Sequence, residues 1–403
     1  MYINTPEWFL FDHLRNMAKT YPPPAPIFTF KGFMSSVHCI LVDEDILFAG
    51  TQEGKVHLWN LKSFREVFTL SVSTQPILSL HKEIKKCNIL IQDKELTVSI
   101  WNYNVEEGSN NVSLKQIHCL KRSEPKLSFC KCVLFTSYLE SHFNKFGNVI
   151  DQNLLNPSPS NADNNSSHLV VPYDSKEITL FSLESRKKMT VIDITKQSTS
   201  EISNVIMCIK FIPINDNPYL IICTEEGHLT LYNVKLKYVE CRVHLHSYVK
   251  DHSTTFVDKE ESLDLNMSDV PMAIDFDTKT MRGLVGTNSK NLYCIKLYPM
   301  ESSLNQHSES TSVPSSNTNM KIKMVLELKH SGVSCISIKS DKKVFVLSFW
   351  DGNGIYIYNW NTMKCISFID YVYSSIHQLY FYNNNMLAVA CDGGKVALWE
   401  FRK

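Results

Sequence analysis

Gly393, Gly394 and Lys395 are the nearest this sequence comes to a phosphate-binding loop. That chemistry needs Gly-x4-Gly-Lys-Ser/Thr between a strand and a helix, so that backbone N–H groups converge on the phosphates. Here Val396 opens an alternating apolar run, and the glycines read as a hairpin turn. Gly352 and Gly354 lack the third glycine and following helix of a dinucleotide loop, and read the same way. His244 and His246 have the spacing of two metal ligands, but no cysteine or carboxylate cluster completes a site beside them. Cys130 and Cys132 flank Lys131, a spacing that suits neither a zinc knuckle nor a thioredoxin-type centre. Asp351 and Asp392 follow Trp350 and Cys391 directly and precede turns, where an aspartate is expected to hydrogen-bond the turn backbone. Arg186 to Lys188, and Lys339 with Lys342 and Lys343, are short basic clusters without a ladder of stacking aromatics, as on solvated turns. No nucleophile elbow, His-Glu-x-x-His or EF-hand spacing occurs. No catalytic, cofactor-binding or metal-ligating residue is therefore assigned, and the expectation is a non-enzymatic protein.

The charge balance agrees. Lys+Arg and Asp+Glu both number 41, which excludes bulk electrostatic attraction to nucleic acid or to an anionic membrane as the main activity. With 43% hydrophobic residues the chain can build a large core. No apolar run reaches the ~18 residues that would suggest a membrane span. Trp8 to Phe11 are followed by Asp12, His13, Arg15 and Lys19 and preceded by no basic stretch, so no export signal is expected. A cytosolic or nuclear setting follows, in which the cysteines stay reduced. Cys39, Cys208 and Cys335 lie inside apolar runs and are expected to be buried.

The elements that carry these residues repeat. A short apolar run, a polar turn and an alternating strand ending in an aromatic residue recur seven times: LFAGTQEGKVHLWNL (47–61), ILIQDKELTVSIWNY (89–103), LVVPYDSKEITLFSL (169–183), LIICTEEGHLTLYNV (220–234), LVGTNSKNLYCIKL (284–297), VLSFWDGNGIYIYNW (346–360) and LAVACDGGKVALWEF (387–401). The tail positions are Trp59, Trp101, Phe181, Tyr232, Ile295, Tyr358 and Trp399, and only Ile295 is not aromatic. The shortest spacings are about forty residues, the period of a WD-type propeller blade. Each tail supplies two strands. An apolar run ahead of it, such as SVHCILV or VSCISI, supplies the inner strand, and a run behind it, such as REVFTL or KMVLEL, the outer one. Trp59, Trp101 and Trp399 are expected to pack between neighbouring blades.

The fold class expected is therefore all-β, a seven-bladed WD40 propeller over residues 22–401. The seventh tail ends at Phe401, and Pro26 to Lys31 belongs to no blade. Using that segment as the outer strand of the last blade closes the ring and removes a bare edge. Polar stretches at 140–167, 244–269 and 301–319 are expected as insertions, since they have too little apolar area to offset ordering entropy. The extension 1–21 is expected to hold a short amphipathic helix. Trp8, Phe11, Leu14 and Met17 fall near one face, with Thr5 as N-cap and Pro6 at the first helical position.

Certain stretches carry a more specific resemblance. The opening from Pro22 to Gly32, the run Ser36–Ile40 and the tail Leu47–Trp59 are similar to the first repeat of the ASTRA-associated WD-repeat proteins, related to the guanine-nucleotide-binding-protein β-like WD proteins. Met272 to Thr278 leading into Arg282–Gly286, and Phe349–Gly352 leading into Tyr358–Met363, extend it across residues 22–401 outside the insertions. The proline-rich opening and the Asp-Phe-Asp…Arg-Gly segment are the discriminating parts. The usual Gly-His is Gly32-Phe33, and the usual Trp-Asp is Trp59-Asn60 or Trp399-Glu400. The resemblance implies a scaffold subunit of the ASTRA assembly, acting in maturation of phosphatidylinositol-3-kinase-related kinases (PIKKs). Its implied partners are ASTRA subunits, PIKK cochaperones, RuvB-like ATPases and a PIKK-family client. One such client is the pseudokinase scaffold of histone acetyltransferase complexes, which implies the nucleus and chromatin regulation. The alternative is another WD40 adaptor, a G-protein β-like subunit or a ubiquitin-ligase substrate receptor.

Overall fold

β-branched and aromatic side chains at alternate positions fit a pleated surface, and these runs pair as antiparallel strands. The computed structural model describes residues 25–401 except 34, 84–85, 106–111, 122–127, 138–165, 173–176, 194–204, 216, 248–268, 299–317, 352–353, 371–374 and 383–384. The first strand, β1 (Phe28–Lys31), stands alone in sequence. Blade 1 is β2 (Val37–Asp43), β3 (Ile46–Thr51), β4 (Lys55–Asn60) and β5 (Arg65–Ser71). Blade 2 is β6 (Ile77–Glu83), β7 (Asn88–Asp93), β8 (Val98–Val105) and β9 (Val112–Leu120). Blade 3 is β10 (Val133–Ser137), β11 (Ser166–Pro172), β12 (Glu177–Ser182) and β13 (Lys187–Asp193). Blade 4 is β14 (Ile206–Ile214), β15 (Asn217–Thr224), β16 (His228–Asn233) and β17 (Tyr238–His244). Blade 5 is β18 (Pro271–Asp277), β19 (Arg282–Thr287), β20 (Asn291–Tyr298) and β21 (Asn319–Glu327). Blade 6 is β22 (Val333–Ile338), β23 (Val344–Phe349), β24 (Ile355–Asn359) and β25 (Cys365–Ile369). Blade 7 is β26 (Ile376–Tyr382), β27 (Met386–Cys391) and β28 (Lys395–Glu400), completed by β1 in the order β1-β28-β27-β26.

The expected seven-bladed ring and its closure are thus present. β1 pairs antiparallel with β28, Phe28 opposite Leu398 and Lys31 opposite Lys395. The inner strands β2, β6, β10, β14, β18, β22 and β26 meet one another around the axis. We call the face on which they begin the upper face. The helix expected over residues 5–19 and the turn glycine Gly352 lie outside the described residues.

The core is divided among the blade interfaces. Seven apolar clusters occur, one between each pair of adjacent blades, and the blade 7–blade 1 cluster contains Phe30 of β1. Every sheet is therefore covered on both faces. That is why β3, β7 and β11 are buried at every position rather than alternating. In the third strands the period-2 pattern selects the interface: Val56 and Leu58 face blade 2, while Trp59 faces blade 7.

Blades converge toward the axis, so space there is short. Small residues at the end of second strands relieve it. A Cβ on Gly286 would lie 2.5 Å from Val333 Cγ1 of the next blade, and one on Gly50 2.6 Å from Ile77 Cγ2. Most inner strands also carry a bulge after their first residue, as at Val37/Cys39 and Val333/Cys335, which bends them there.

The edges of the expected insertions need correction. Ser166 and Ser167 open β11 and are buried, Leu245 and Asp269 are buried, and Thr318 leads directly into β21. The polar members find partners: Ser167 N–H donates to Glu184 Oε1 (2.8 Å), Thr318 N–H to Glu240 Oε1 (2.9 Å), and Asn291 Nδ2 to Asp269 (2.9 Å). Polar composition alone does not reveal such bonds. The remainder of the three stretches, with residues 1–21, lies outside the described residues.

Candidate functional site

The tail residues occupy one equivalent place. Trp59, Trp101, Phe181, Tyr232, Ile295, Tyr358 and Trp399 each pack at the interface with the preceding blade. In the first six blades the tail residue sits at a bulge between third and fourth strands, as at Leu58/Trp59 and Ile100/Trp101. Trp399 is buried, whereas Trp59 and Trp101 are half-buried. Trp59 meets Phe30 at 5.2 Å between ring centroids, and Trp101 Nε1 donates to Ser99 Oγ at 2.9 Å. The residue after the aromatic shapes the next turn. Asn60 Oδ1 accepts from the N–H groups of Lys62 and Ser63, and Asn359 Oδ1 from those of Asn361 and Thr362. Asparagine thus does the work of the aspartate missing from these Trp-Asp positions.

The two aspartates singled out in the sequence reach sideways to histidines. Asp392 Oδ1 lies 2.7 Å from His377 Nε2, and Asp351 Oδ2 lies 3.5 Å from His330 Nδ1. Turn backbone is held at two other turns by Asp93, which accepts from the N–H groups of Glu95 (3.0 Å) and Thr97 (2.9 Å), and by Asp277, which accepts from those of Lys279 and Thr280. Gly393 and Gly394 have positive φ in the β27–β28 turn, and a strand follows, not a helix. His246 Nε2 accepts from the Asp269 N–H and His244 Nδ1 from the His246 N–H. Among the described residues no group of His, Cys, Asp and Glu is arranged to hold a metal ion, and no helix is long and apolar enough to cross a membrane.

The Asp-Phe-Asp…Arg-Gly segment is a clamp between blades on the lower face. Asp275 receives Lys210 Nζ of blade 4 at 2.7 Å and the Ile338 N–H of blade 6 at 2.8 Å. Asp277, its side chain fully buried, pairs with Lys342 of blade 6. Burial raises the Asp277 carboxyl, but bonds from Lys342, Thr280 and Lys279 outweigh this and hold it below the usual carboxylate range. Arg282 lies 4.6 Å over the ring of Trp360, a fully buried tryptophan of blade 6 that the repeat pattern did not single out.

The upper channel mouth gathers the remaining exposed chemistry. His38 and His377 are the second residues of β2 and β26, with ring centroids 4.5 Å apart. Trp350, 42% exposed, stands 5.8 Å from His377. Burial, His377 and the charges of Lys131 and Lys94 push His38 down to about 4, with Asp392 opposing them. The charge of Lys131 also bears on Cys39 of blade 1, His81 of blade 2 and Cys335 of blade 6. Despite its burial, Asp392 is held below the usual carboxylate range by bonds from His377 and Ser36. What the mouth offers is charged groups of both signs and exposed aromatic surface, suited to binding.

No family model matches the chain. The mouse guanine nucleotide-binding protein subunit beta-like protein 1 is 21% identical over 390 residues, covering 94% of this chain and 97% of that protein. The ASTRA-associated protein 1 of Schizosaccharomyces pombe is 22% identical over 396 residues, and that of Schizosaccharomyces japonicus 18% over 399; both alignments cover 94% of this chain and 99% of the relative. Among solved structures, the Cps50 (Swd1) β-propeller domain of Myceliophteria thermophila superposes with a TM-score of 0.64 at 11% identity, covering 94% of this chain and 100% of that one, a likeness of fold alone. The chain is thus a seven-bladed WD-type propeller, similar over 94% of its length to the ASTRA-associated and guanine-nucleotide-binding-protein β-like proteins.

Proposed function

We propose that this propeller is a non-enzymatic scaffold subunit of an ASTRA assembly, acting in the nucleus in the maturation of PIKK-family proteins and of chromatin-regulating complexes. Its partners in this reading are the other ASTRA subunits, PIKK cochaperones, RuvB-like ATPases and the client itself. The observation that carries the reading is similarity to ASTRA-associated proteins over 94% of the chain. The Asp-Phe-Asp…Arg-Gly segment adds to it, since its three charged residues all work as clamps between blades, as a rigid scaffold requires. A very large helical-repeat client exposes apolar surface while it assembles, and a rigid disc that holds it beside chaperones shortens its exposure to proteases.

Affinity purification from native extract tests this. It is expected to recover cochaperones, RuvB-like ATPases and a PIKK-family client, and depletion is expected to lower PIKK protein without lowering its messenger RNA. Recovery of a Gγ-like peptide or a cullin adaptor, with PIKK levels unchanged on depletion, would overturn it in favour of a different WD40 adaptor role.

A further inference from the structure

The bulge between third and fourth strands leaves one residue of each fourth strand with no residue opposite it, and that residue turns toward the next blade. Val67 of blade 1, Ile117 of blade 2 and Met189 of blade 3 hold this place. Each is half-buried in the apolar cluster shared with the blade that follows. Blade 4 has Glu240 there, which accepts from the Thr318 N–H of blade 5 (2.9 Å), and blade 5 has Lys323, its Nζ 4.9 Å over the Tyr298 ring. In blades 1, 2 and 4 the cover comes from the stretch that leads into or opens the next blade's outer strand. Val112 and Leu114 open β9 and join the cluster of Val67. Arg186, in the turn before β13, donates to the Ile117 carbonyl (3.4 Å), and Thr318 directly precedes β21.

In blade 6 the residue is Ile366, at the bulge between Ile357 and Tyr358. It is apolar like Val67, Ile117 and Met189, yet it is 55% exposed. The blade that follows is blade 7, whose outer strand is β1. That strand has four residues, where β9 and β21 have nine and β13 has seven. The stretch leading into β1 is the N-terminal extension. β25 and β1 are both outer strands and both begin at the lower face, so Ile366, the second residue of β25, and the start of β1 occupy the same rim of neighbouring blades. The chain leaves the ring there, at Ile27, whose N–H donates to the Leu398 carbonyl (2.8 Å).

We propose that the N-terminal extension folds back onto the lower rim between blades 6 and 7 and covers Ile366 with its apolar stripe, supplying the cover that β1 is too short to give. The occupant follows from where the chain leaves the ring and from its composition. Trp8, Phe11, Leu14 and Met17 fall near one helical face, and Pro22, Pro23 and Pro24 favour an extended spacer of ~3.1 Å per residue between that stripe and β1. The other chain end offers only charged residues, Arg402 and Lys403, and the connection from β25 to β26 starts at the upper face. Docking also shields the outer edge of β25 from pairing with another chain. The inference concerns contacts within one chain and stands independently of the ASTRA reading.

The test is limited trypsin digestion of the full chain, followed by mass spectrometry at Arg15 and Lys19, which lie within the stripe. A docked segment is cut only from its undocked population, so cleavage at both sites is expected to be slow and independent of protein concentration. Ile366→Asp is expected to speed it about tenfold or more, with a melting temperature close to that of the unaltered protein because the site is exposed. Phe11→Asp, which leaves the propeller untouched, is expected to speed cleavage to a similar degree. Leu236→Asp, at another exposed apolar residue on the lower face, is expected to leave the rates as they were. Unchanged cleavage in either Ile366→Asp or Phe11→Asp, or equal acceleration in Leu236→Asp, would overturn the proposal. So would protection that is lost on dilution, which would mean docking on a second copy.

Discussion

Closure of the ring by β1 makes Phe30 the most informative residue to remove. Phe30 is fully buried at the blade 7–blade 1 interface. Its ring lies 4.9 Å from Phe28, 5.2 Å from Trp59 and 6.1 Å from Phe64. Phe30→Ala removes a full aromatic side chain and leaves a cavity that fixed neighbours on two blades cannot fill, a change that costs about 3–5 kcal/mol. Typical net stabilities are ~5–15 kcal/mol, so the loss would be large. The size of the loss also reports on cooperativity. β1 is only four residues long, and if it could leave the ring without disturbing the rest, the penalty would be capped at its own small docking energy. If closure holds all seven blades in one cooperative unit, the full penalty falls on global unfolding. The assay is urea denaturation together with native-state hydrogen exchange. The expected result is a lowered midpoint at unchanged slope, with protection reduced in the inner strands of every blade. A shift worth less than ~1 kcal/mol, or exchange loss confined to β28, would refute the claim that β1 locks the ring.

Gly286→Val is expected to destabilise by about 1–3 kcal/mol, because even its Cβ would sit 2.5 Å from Val333 Cγ1; Val333→Ala should restore part of the loss, and additive losses would count against the packing argument. Asp275→Ala removes the acceptor for Lys210 and for the Ile338 N–H and is expected to cost about 1–3 kcal/mol in thermal or urea unfolding; an unchanged midpoint would show that the lower-face clamp is idle. Trp399→Ala is expected to cost about 3–5 kcal/mol, and Trp350→Ala, at an exposed site, under about 1 kcal/mol; the reverse order would contradict the burial of these rings. His38 has a folded pKa pushed down to about 4, below its unfolded value of ~6.5, so between those limits the unfolded chain binds more protons and stability falls as pH drops. His38→Gln should flatten that slope in urea midpoints measured from pH 7 to pH 4.5, and an identical slope would count against a buried neutral imidazole.

The repeat was legible because its signals are local. A hairpin turn, a period-2 strand and a tail aromatic lie within about fifteen residues, and nearest-neighbour sterics decide them. Seven such tails, plus one unassigned strand at Pro26–Lys31, already implied the closed ring, and β1 pairs with β28 accordingly. Cys130 and Cys132 are buried at two different interfaces, blade 3–blade 4 and blade 2–blade 3, which their spacing in the chain did not distinguish. Other features left no local trace. Asp392 and Asp351 read as turn residues, and their contacts with His377 and His330 of their own blades depend on how neighbouring strands are registered. Asp275 is one carboxylate in a strand, and only the meeting of blades 4, 5 and 6 delivers Lys210 and the Ile338 N–H to it. Trp360 lies in a turn and is buried in the blade 5–blade 6 cluster, beside Phe345 and under Arg282 of the neighbouring blade. The sequence by itself determined the strands, their number per blade and the closing segment, since these follow from backbone period and turn chemistry. The tertiary structure alone decided which charges are satisfied and which face solvent, because pairing between blades depends on residues far apart in the chain that meet only when the ring closes.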